Sequence, residues 1–418
     1  MIALADCNNF YASCERIFNP KIRNKPVVVL SNNDGCVISR SNEAKALGIK
    51  MGYPAFKYSQ MFNRHKVNVF STNFALYGDL SDRVMSVLSQ SVSHIEIYSI
   101  DEAFMDYTGF NDPFKNACEI RRKIYKWIGI PISIGIAETK TLAKVANVLA
   151  KKNTQSGVAY LNCPYEIQYQ LKNIPVANIW GIGNQYANKL IRYGVRTAYD
   201  LTLQSDRWIE KQFSITGLKI AKELRGVPCF ELSTICKPKK SICTSRTFSK
   251  EIKSFNQLVQ AVSSYATICS SKLRQQGSCA KTITVFILTN RFKSKDTNYS
   301  GVRTVRFNSP KNDSMEIIAS SISALKSIYR NDYSYKKAGV ILSGIISESQ
   351  IQLNCFDDIN DIKKRNRIMH AIDIINDTYG RMNIRFAING LDKKWVPNQS
   401  HLSPCYTTQI SDIIQVYT

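Results

Sequence analysis

The chain has 418 residues, and 56 lysines and arginines against 32 acids leave it at +24 at neutral pH. That length implies about two to four domains with cores of their own, needing no disulfide or zinc staple, and so basic a chain points away from small-metabolite chemistry, to nucleic acid first and an anionic membrane surface second. With 44% hydrophobic and 21% charged residues it cannot be wholly disordered; no apolar run reaches the roughly 18 residues of a membrane helix, and Met1–Asp6 lacks the basic and apolar regions of a secretory signal.

In chain order, Ile2–Asp6 reads as a short buried strand ending in an acid, and Asn8–Ile17 as a helix start. Pro26–Leu30 is a second buried strand, closed by the turn signal Ser31–Gly35. Ser41–Gly48 reads as a helix with a glycine stop, Ile95–Ile100 and Ala103–Tyr107 as strands flanking Asp101-Glu102, Ile130–Ala137 as a strand and Lys140–Lys152 as a long helix. From Ile174 to Gly226 short helices replace strands, and Ile235–Ile242 is a charged linker broken by proline. A strand (Cys243–Phe248), a helix (Phe255–Gln275), two strands (Lys281–Phe292 and Gly301–Asn308), a helix through Met315, Ile318, Ile322 and Leu325, and a strand (Ala338–Ile346) follow. That order is β-α-β-β-α-β, the split βαβ arrangement. Asp357–Asp361 begins an acidic, loop-like connection to a small C-terminal segment.

The charge is uneven: residues 231–349 hold 19 lysines and arginines against 7 acids. This block is the expected grip on a phosphate backbone, a solvated basic surface being the alternative. The 12 cysteines are scattered without a Cys-x-x-Cys pair, and Cys229, Cys236 and Cys243 have no nearby histidine, so they read as free thiols in a reducing compartment.

Asp6, Asp101 and Glu102 stand at the ends of apolar strands. Each alone could be a turn cap or half of a salt bridge. Together, carboxylates at strand ends can hold two divalent hard cations that activate an attacking hydroxyl and stabilise a leaving pyrophosphate. Trp180-Gly181-Ile182-Gly183-Asn184 before Ala187–Tyr193 reads as a helix-hairpin-helix whose glycines let backbone amides approach a phosphate, or as an ordinary turn.

The segments Asp6–Glu15, Ser31–Arg40 with Asn42–Gly48, and Tyr98–Phe104 resemble motifs of the Y-family DNA polymerases, the second pair being similar to the UmuC branch. The resemblance runs in order along nearly the whole chain. It implies an α+β multidomain, right-hand polymerase: palm and fingers over 1–165, thumb with helix-hairpin-helix over 166–234, a linker over 235–242, a little finger over 243–349, a clamp-binding peptide and linker over 350–358, and a C-terminal domain over 359–418. It implies an error-prone translesion polymerase of SOS mutagenesis, without proofreading, in the bacterial cytoplasm. Asp6, Asp101 and Glu102 would ligate two Mg2+ ions, for which Mn2+ can substitute. Cys7, Asn8, Asn9 and Phe10 would hold the triphosphate of the dNTP with Arg40, Lys45 and Lys151. Tyr11 would be the steric gate under the sugar; a core aromatic is its other reading. Asn42 stands where the superfamily often has tyrosine, so Arg40 is expected to take over that contact. Gly181, Gly183, Arg246, Lys250, Lys281, Arg291, Lys293, Arg303 and Arg306 would grip primer-template DNA. Gln352, Leu353 and Phe356 would dock in the sliding clamp (the beta subunit), with Cys355 replacing a leucine. The implied partners are the UmuD′ dimer and the RecA filament, and no membrane. The other readings are a DinB-type polymerase of the same family, a non-catalytic DNA-binding subunit that keeps the fold, and a membrane-surface protein.

Overall fold

The computed structural model describes residues 1–152, 156–234, 237–292, 298–352, 358–380, 382–391 and 398–415. The chain divides into two compact units, one from residues 1–31, 35–236 and 400–418, the other from 32–34 and 237–399.

In the first unit the elements in order are β1 (Ile2–Cys7), α1 (Phe10–Ile17), β2 (Val27–Leu30), β3 (Val37–Arg40), α2 (Asn42–Ala46), α3 (Ser59–Arg64), β4 (Asn68–Ser71), α4 (Phe74–Ser89), β5 (Ile95–Ile97) and β6 (Glu102–Asp106). There follow α5 (Pro113–Ile128), β7 (Ile132–Ala137), α6 (Lys140–Lys152), β8 (Val158–Tyr160), α7 (Pro164–Lys172), α8 (Asn184–Arg192), α9 (Ala198–Thr202) and α10 (Asp206–Leu224). The main sheet runs β5-β6-β1-β7-β8, with β1 antiparallel to both neighbours; a small sheet runs β3-β2-β4.

β1 is central because Ala3, Leu4, Ala5 and Cys7 are all buried. Its side chains alternate between faces. Ala3, Ala5 and Cys7 join the core formed with α4 and α5, while Leu4 packs with Phe104 and the apolar face of α6. Gly135 lets α6 lie directly on β7: a β-carbon there would sit 2.1 Å from the backbone nitrogen of Asn147. No rotamer relieves a clash with backbone, so Gly135→Ala should cost at least about 3 kcal/mol. Thermal unfolding measures it; an unchanged midpoint would show that α6 is not seated on the sheet this way.

The second unit contains β9 (Ser241–Ile252), α11 (Phe255–Gln275), β10 (Ser278–Thr289), β11 (Ser300–Lys311), α12 (Ser314–Ile328), β12 (Tyr335–Ser347) and α13 (Ile359–Tyr379). Its sheet runs β11-β10-β12-β9 with α11 and α12 against one face, the β-α-β-β-α-β arrangement expected from the sequence. One element differs from expectation. From Asp358 on, the acids expected to begin a loop start a helix: Asp358 caps α13 by accepting from the amides of Asn360 and Asp361, while Asp357 lies outside the described residues. This helix buries only Met369, so it has almost no apolar periodicity to read. A bidentate pair from Arg274 to Asp373, at 2.6 and 2.8 Å, ties it to α11.

Ten described cysteines are free. Among the described residues no helix is long and apolar enough to cross a membrane.

Candidate active site

The strand register pairs two of the three predicted acids, and the third is a neighbour of one of them in the chain. Asp6 pairs with Glu102 across β1 and β6, two residues beyond the Leu4–Phe104 pair, so both carboxylates emerge on the face covered by α6. Asp101 is the next residue back in the turn, where its carbonyl accepts from the Cys7 amide at 2.8 Å. Ser99 shapes that turn: its hydroxyl donates to Asp101 Oδ1 at 2.7 Å and accepts from the Glu102 amide at 3.1 Å. Asn147 of α6 reaches under the acids and donates to the carbonyls of Leu4 (3.2 Å) and Ser133 (2.9 Å).

Two lysines of α6, seven residues apart on one helical face, meet the acids. Lys151 Nζ lies 2.6 Å from Asp6 Oδ2, and Lys144 Nζ 2.8 Å from Glu102 Oε2. The sequence singled out Lys151 as a triphosphate contact, not as a partner of Asp6, and did not single out Lys144, because both pairings depend on how α6 crosses the sheet. Burial pushes the Asp6 carboxyl up to about 6; Lys151 pulls it down and Glu102 pushes it further up. Burial, then the charges of Asp6 and Asp101, holds the Cys7 thiol well above its usual range, so it stays protonated. The available donors are therefore carboxylate oxygens, the set that suits a hard divalent cation. Among the described residues no three carboxylate, histidine or cysteine side chains converge as a ready ligand cage.

The nucleotide-contact candidates gather beside these acids. Asn9 caps α1 in the left-handed region (φ 50°), a conformation asparagine tolerates, and donates to Asn42 Oδ1 at 3.1 Å. Lys45 Nζ reaches the same oxygen at 3.4 Å. Asn42 is thus a hub joining α1 to α2. Burial first, then the like charges of Arg40 and Lys151, lowers the Lys45 ammonium below the lysine range, while Asp6 acts oppositely. Arg40, Lys45, Lys151 and Asp6 therefore share one neighbourhood. Arg40 also donates to the Ile49 carbonyl. Asn8 holds the β1–α1 corner, its amide donating to Pro131 and its side chain accepting from Ser133. Phe10 is buried. Tyr11 is half-buried and stacks on Tyr77, ring centroids 4.6 Å apart; burial, then the charge of Asp101, raises its phenol.

Behind Tyr77 lies a buried carboxyl that the sequence did not single out. Glu15 Oε1 accepts from the hydroxyls of Tyr77 (2.5 Å) and Ser403 (3.0 Å). Burial raises it from 4.5 to about 7, against the pull of those two hydrogen bonds. Tyr77 of α4, Ser403 and Tyr406 of the C-terminal segment, and Cys14 of its own helix face it. The folded protein holds this proton more tightly than the unfolded chain. Its contribution to stability is therefore complete below about pH 4.5 and is lost as pH rises through about 7. The full effect is on the order of 3 kcal/mol. Glu15→Gln should flatten the stability profile across that window; parallel decline of variant and wild type would place the titration elsewhere.

Among the DNA-contact candidates, Gly181 has φ +83°, which favours glycine, and Gly183 caps α8 with open space where a side chain would stand. In the second unit, Arg306 pairs with Thr282 on the open face of the sheet, whereas Arg246 and Arg303 pair with Ala338 and Val285, which point under the helices. Lys250, Lys281 and Arg291 are exposed. Arg246, Arg303 and Arg306 are exposed as well, and Lys293 lies outside the described residues. So do Leu353, Cys355 and Phe356 of the clamp peptide; Gln352 is exposed.

The architecture is that of the Y-family DNA polymerases. A Y-family polymerase chimera, Dbh-Dpo4(243-245)-Dbh, superposes with a TM-score of 0.65 at 24% identity, covering 83% of this chain and all of that one. An insertion ternary complex of Dbh DNA polymerase superposes with a TM-score of 0.53 at 23% identity, with the same coverage. The chain belongs to the impB/mucB/samB family: the family model matches residues 5–148, its C-terminal domain matches 239–355, and a domain of unknown function (DUF4113) matches 366–416. It is 41% identical to protein UmuC and 40% identical to protein ImpB, both of Salmonella typhimurium, over 100% and 99% of each chain respectively. It is 29% identical to DNA polymerase IV of Desulfatibacillum aliphaticivorans, over 91% of this chain and 94% of that one.

Proposed function

We propose that the chain is an error-prone translesion DNA polymerase of the UmuC kind, adding deoxynucleotides to a primer 3′-hydroxyl under template direction and without proofreading. The observation that carries this reading is the cross-strand pair Asp6–Glu102, with Asp101 beside it, at the end of a buried sheet. Identity over full length to UmuC and ImpB supports this branch over a DinB-type enzyme. Asp6, Asp101 and Glu102 would hold Mg2+ or Mn2+, which when bound lowers the barrier to attack and neutralises the leaving pyrophosphate. Lys151 and Lys144, paired with two of these acids, would then turn to the triphosphate with Lys45 and Arg40. The backbone of Cys7–Phe10 would orient the triphosphate, and the Tyr11 ring would exclude a 2′-hydroxyl.

Residues 1–165 act as palm and fingers, 166–234 as thumb, and the basic block 243–349 as the little finger on primer-template DNA. Gln352–Phe356 tethers the chain to the sliding clamp, and the C-terminal region 359–418 meets the UmuD′ dimer or the RecA filament in the bacterial cytoplasm. The test is template-directed incorporation in magnesium, alone and with UmuD′ and RecA filament. Incorporation that follows the template base is the expected result; tight DNA binding with no incorporation under either condition would leave a non-catalytic subunit.

A further inference from the structure

Near its end the chain returns to the first unit, where residues 400–415 dock beside the residues that carry Tyr11. His401 pairs with Ser71 through both backbone groups: the Ser71 amide donates to the His401 carbonyl at 2.9 Å, and the His401 amide to the Ser71 hydroxyl at 3.0 Å. Asn73, at the start of α4, donates to the carbonyls of Ser403 (3.0 Å) and Pro404 (3.2 Å). Tyr406 stacks on Phe18 just past α1, centroids 4.7 Å apart. These contacts place the Ser403 hydroxyl, buried, against Glu15.

A continuous line of contact runs on from there. Ser403 donates to Glu15, the Tyr77 hydroxyl donates to the same oxygen, and the Tyr77 ring stacks on Tyr11 at 16° between planes. Phe74 meets both rings edge-on. Tyr77 is fully buried, so its hydroxyl needs a partner inside the protein. Glu15 is that partner, and two hydroxyls hold its position. A ring half-exposed like Tyr11 is held at a fixed height only if the surface beneath it cannot tilt.

We infer that the C-terminal segment sets the height of the Tyr11 ring, so that Ser403, Glu15 and Tyr77 are positioning residues for sugar discrimination. The inference rests on the reading of Tyr11 as the gate beneath the sugar. Discrimination is steric and falls off within fractions of an ångström, so a ring that can tilt admits a 2′-hydroxyl before it harms deoxynucleotide insertion. The segment, which lies in a region matched by a domain of unknown function, thereby acquires a role at the active site.

The experiment measures kcat/KM for a ribonucleotide and for its deoxynucleotide in the full-length chain, and takes their ratio. A structural defect lowers the active fraction and cancels in this ratio, whereas a displaced gate does not. Ser403→Ala and Tyr77→Phe are each expected to raise the ratio about threefold to tenfold, the net worth of one hydrogen bond. Ser403→Thr, which keeps the hydroxyl, is expected to restore it. Tyr11→Ala, the control for the gate itself, should raise it further. A ratio that rises in Tyr11→Ala but stays at the wild-type value in both Ser403→Ala and Tyr77→Phe overturns this inference and leaves the gate standing. A ratio that does not move in Tyr11→Ala overturns the gate and this inference together.

Discussion

Asp101→Ala is expected to lower primer extension at least about a thousandfold while leaving DNA affinity nearly unchanged. The carboxylate sits in the turn that Ser99 stabilises, and its side chain makes a hydrogen bond only to that serine among the contacts described. Its removal therefore subtracts charge from the site more than it disturbs the fold. Stabilisation by bound metal is worth several kcal/mol, and each 1.36 kcal/mol or so is tenfold in rate. The DNA grip is assigned to the basic block, outside the acid cluster, and should survive. Single-turnover incorporation and equilibrium binding, measured on the same preparation, separate the two quantities. An Asp101→Ala protein that extends primers at the wild-type rate would remove the carboxylate from the chemistry.

DNA binding itself should weaken steeply with salt. A net charge of +24 engaging the phosphate backbone displaces condensed counterions. If six to ten phosphates are contacted, affinity falls by roughly a thousandfold or more between about 50 and 200 mM salt. Anisotropy titrations across that range give the slope directly. A flat dependence would mean that the lysines and arginines of the second unit face solvent and do not hold the backbone.

The acids were legible because they break a local rule: an aspartate closing a fully apolar strand, and an Asp-Glu pair between two others, are conspicuous against their neighbours. Helices α11 and α12 were legible because their apolar residues recur at helical spacing. What was missed depends on tertiary placement. Lys144 becomes a partner of Glu102 only because Gly135 lets α6 settle onto β7 in one register. Glu15 looks like a surface residue of an amphipathic helix until the C-terminal segment, nearly 400 residues away in sequence, covers it. Helix α13 has a cap that reads as a loop and too little buried surface to show a period.

If the cross-strand acids serve a polymerase that copies past damage without correcting itself, two primers suffice to reveal it. The most direct measurement is extension of a primer in magnesium across a template abasic site, with a mismatched primer end run in parallel. The expected result is insertion opposite the lesion, elongation beyond it, and a mismatched end that is extended without being shortened. Tight binding of the same primer-template with no nucleotide added, or removal of the mismatched nucleotide before extension, would contradict it.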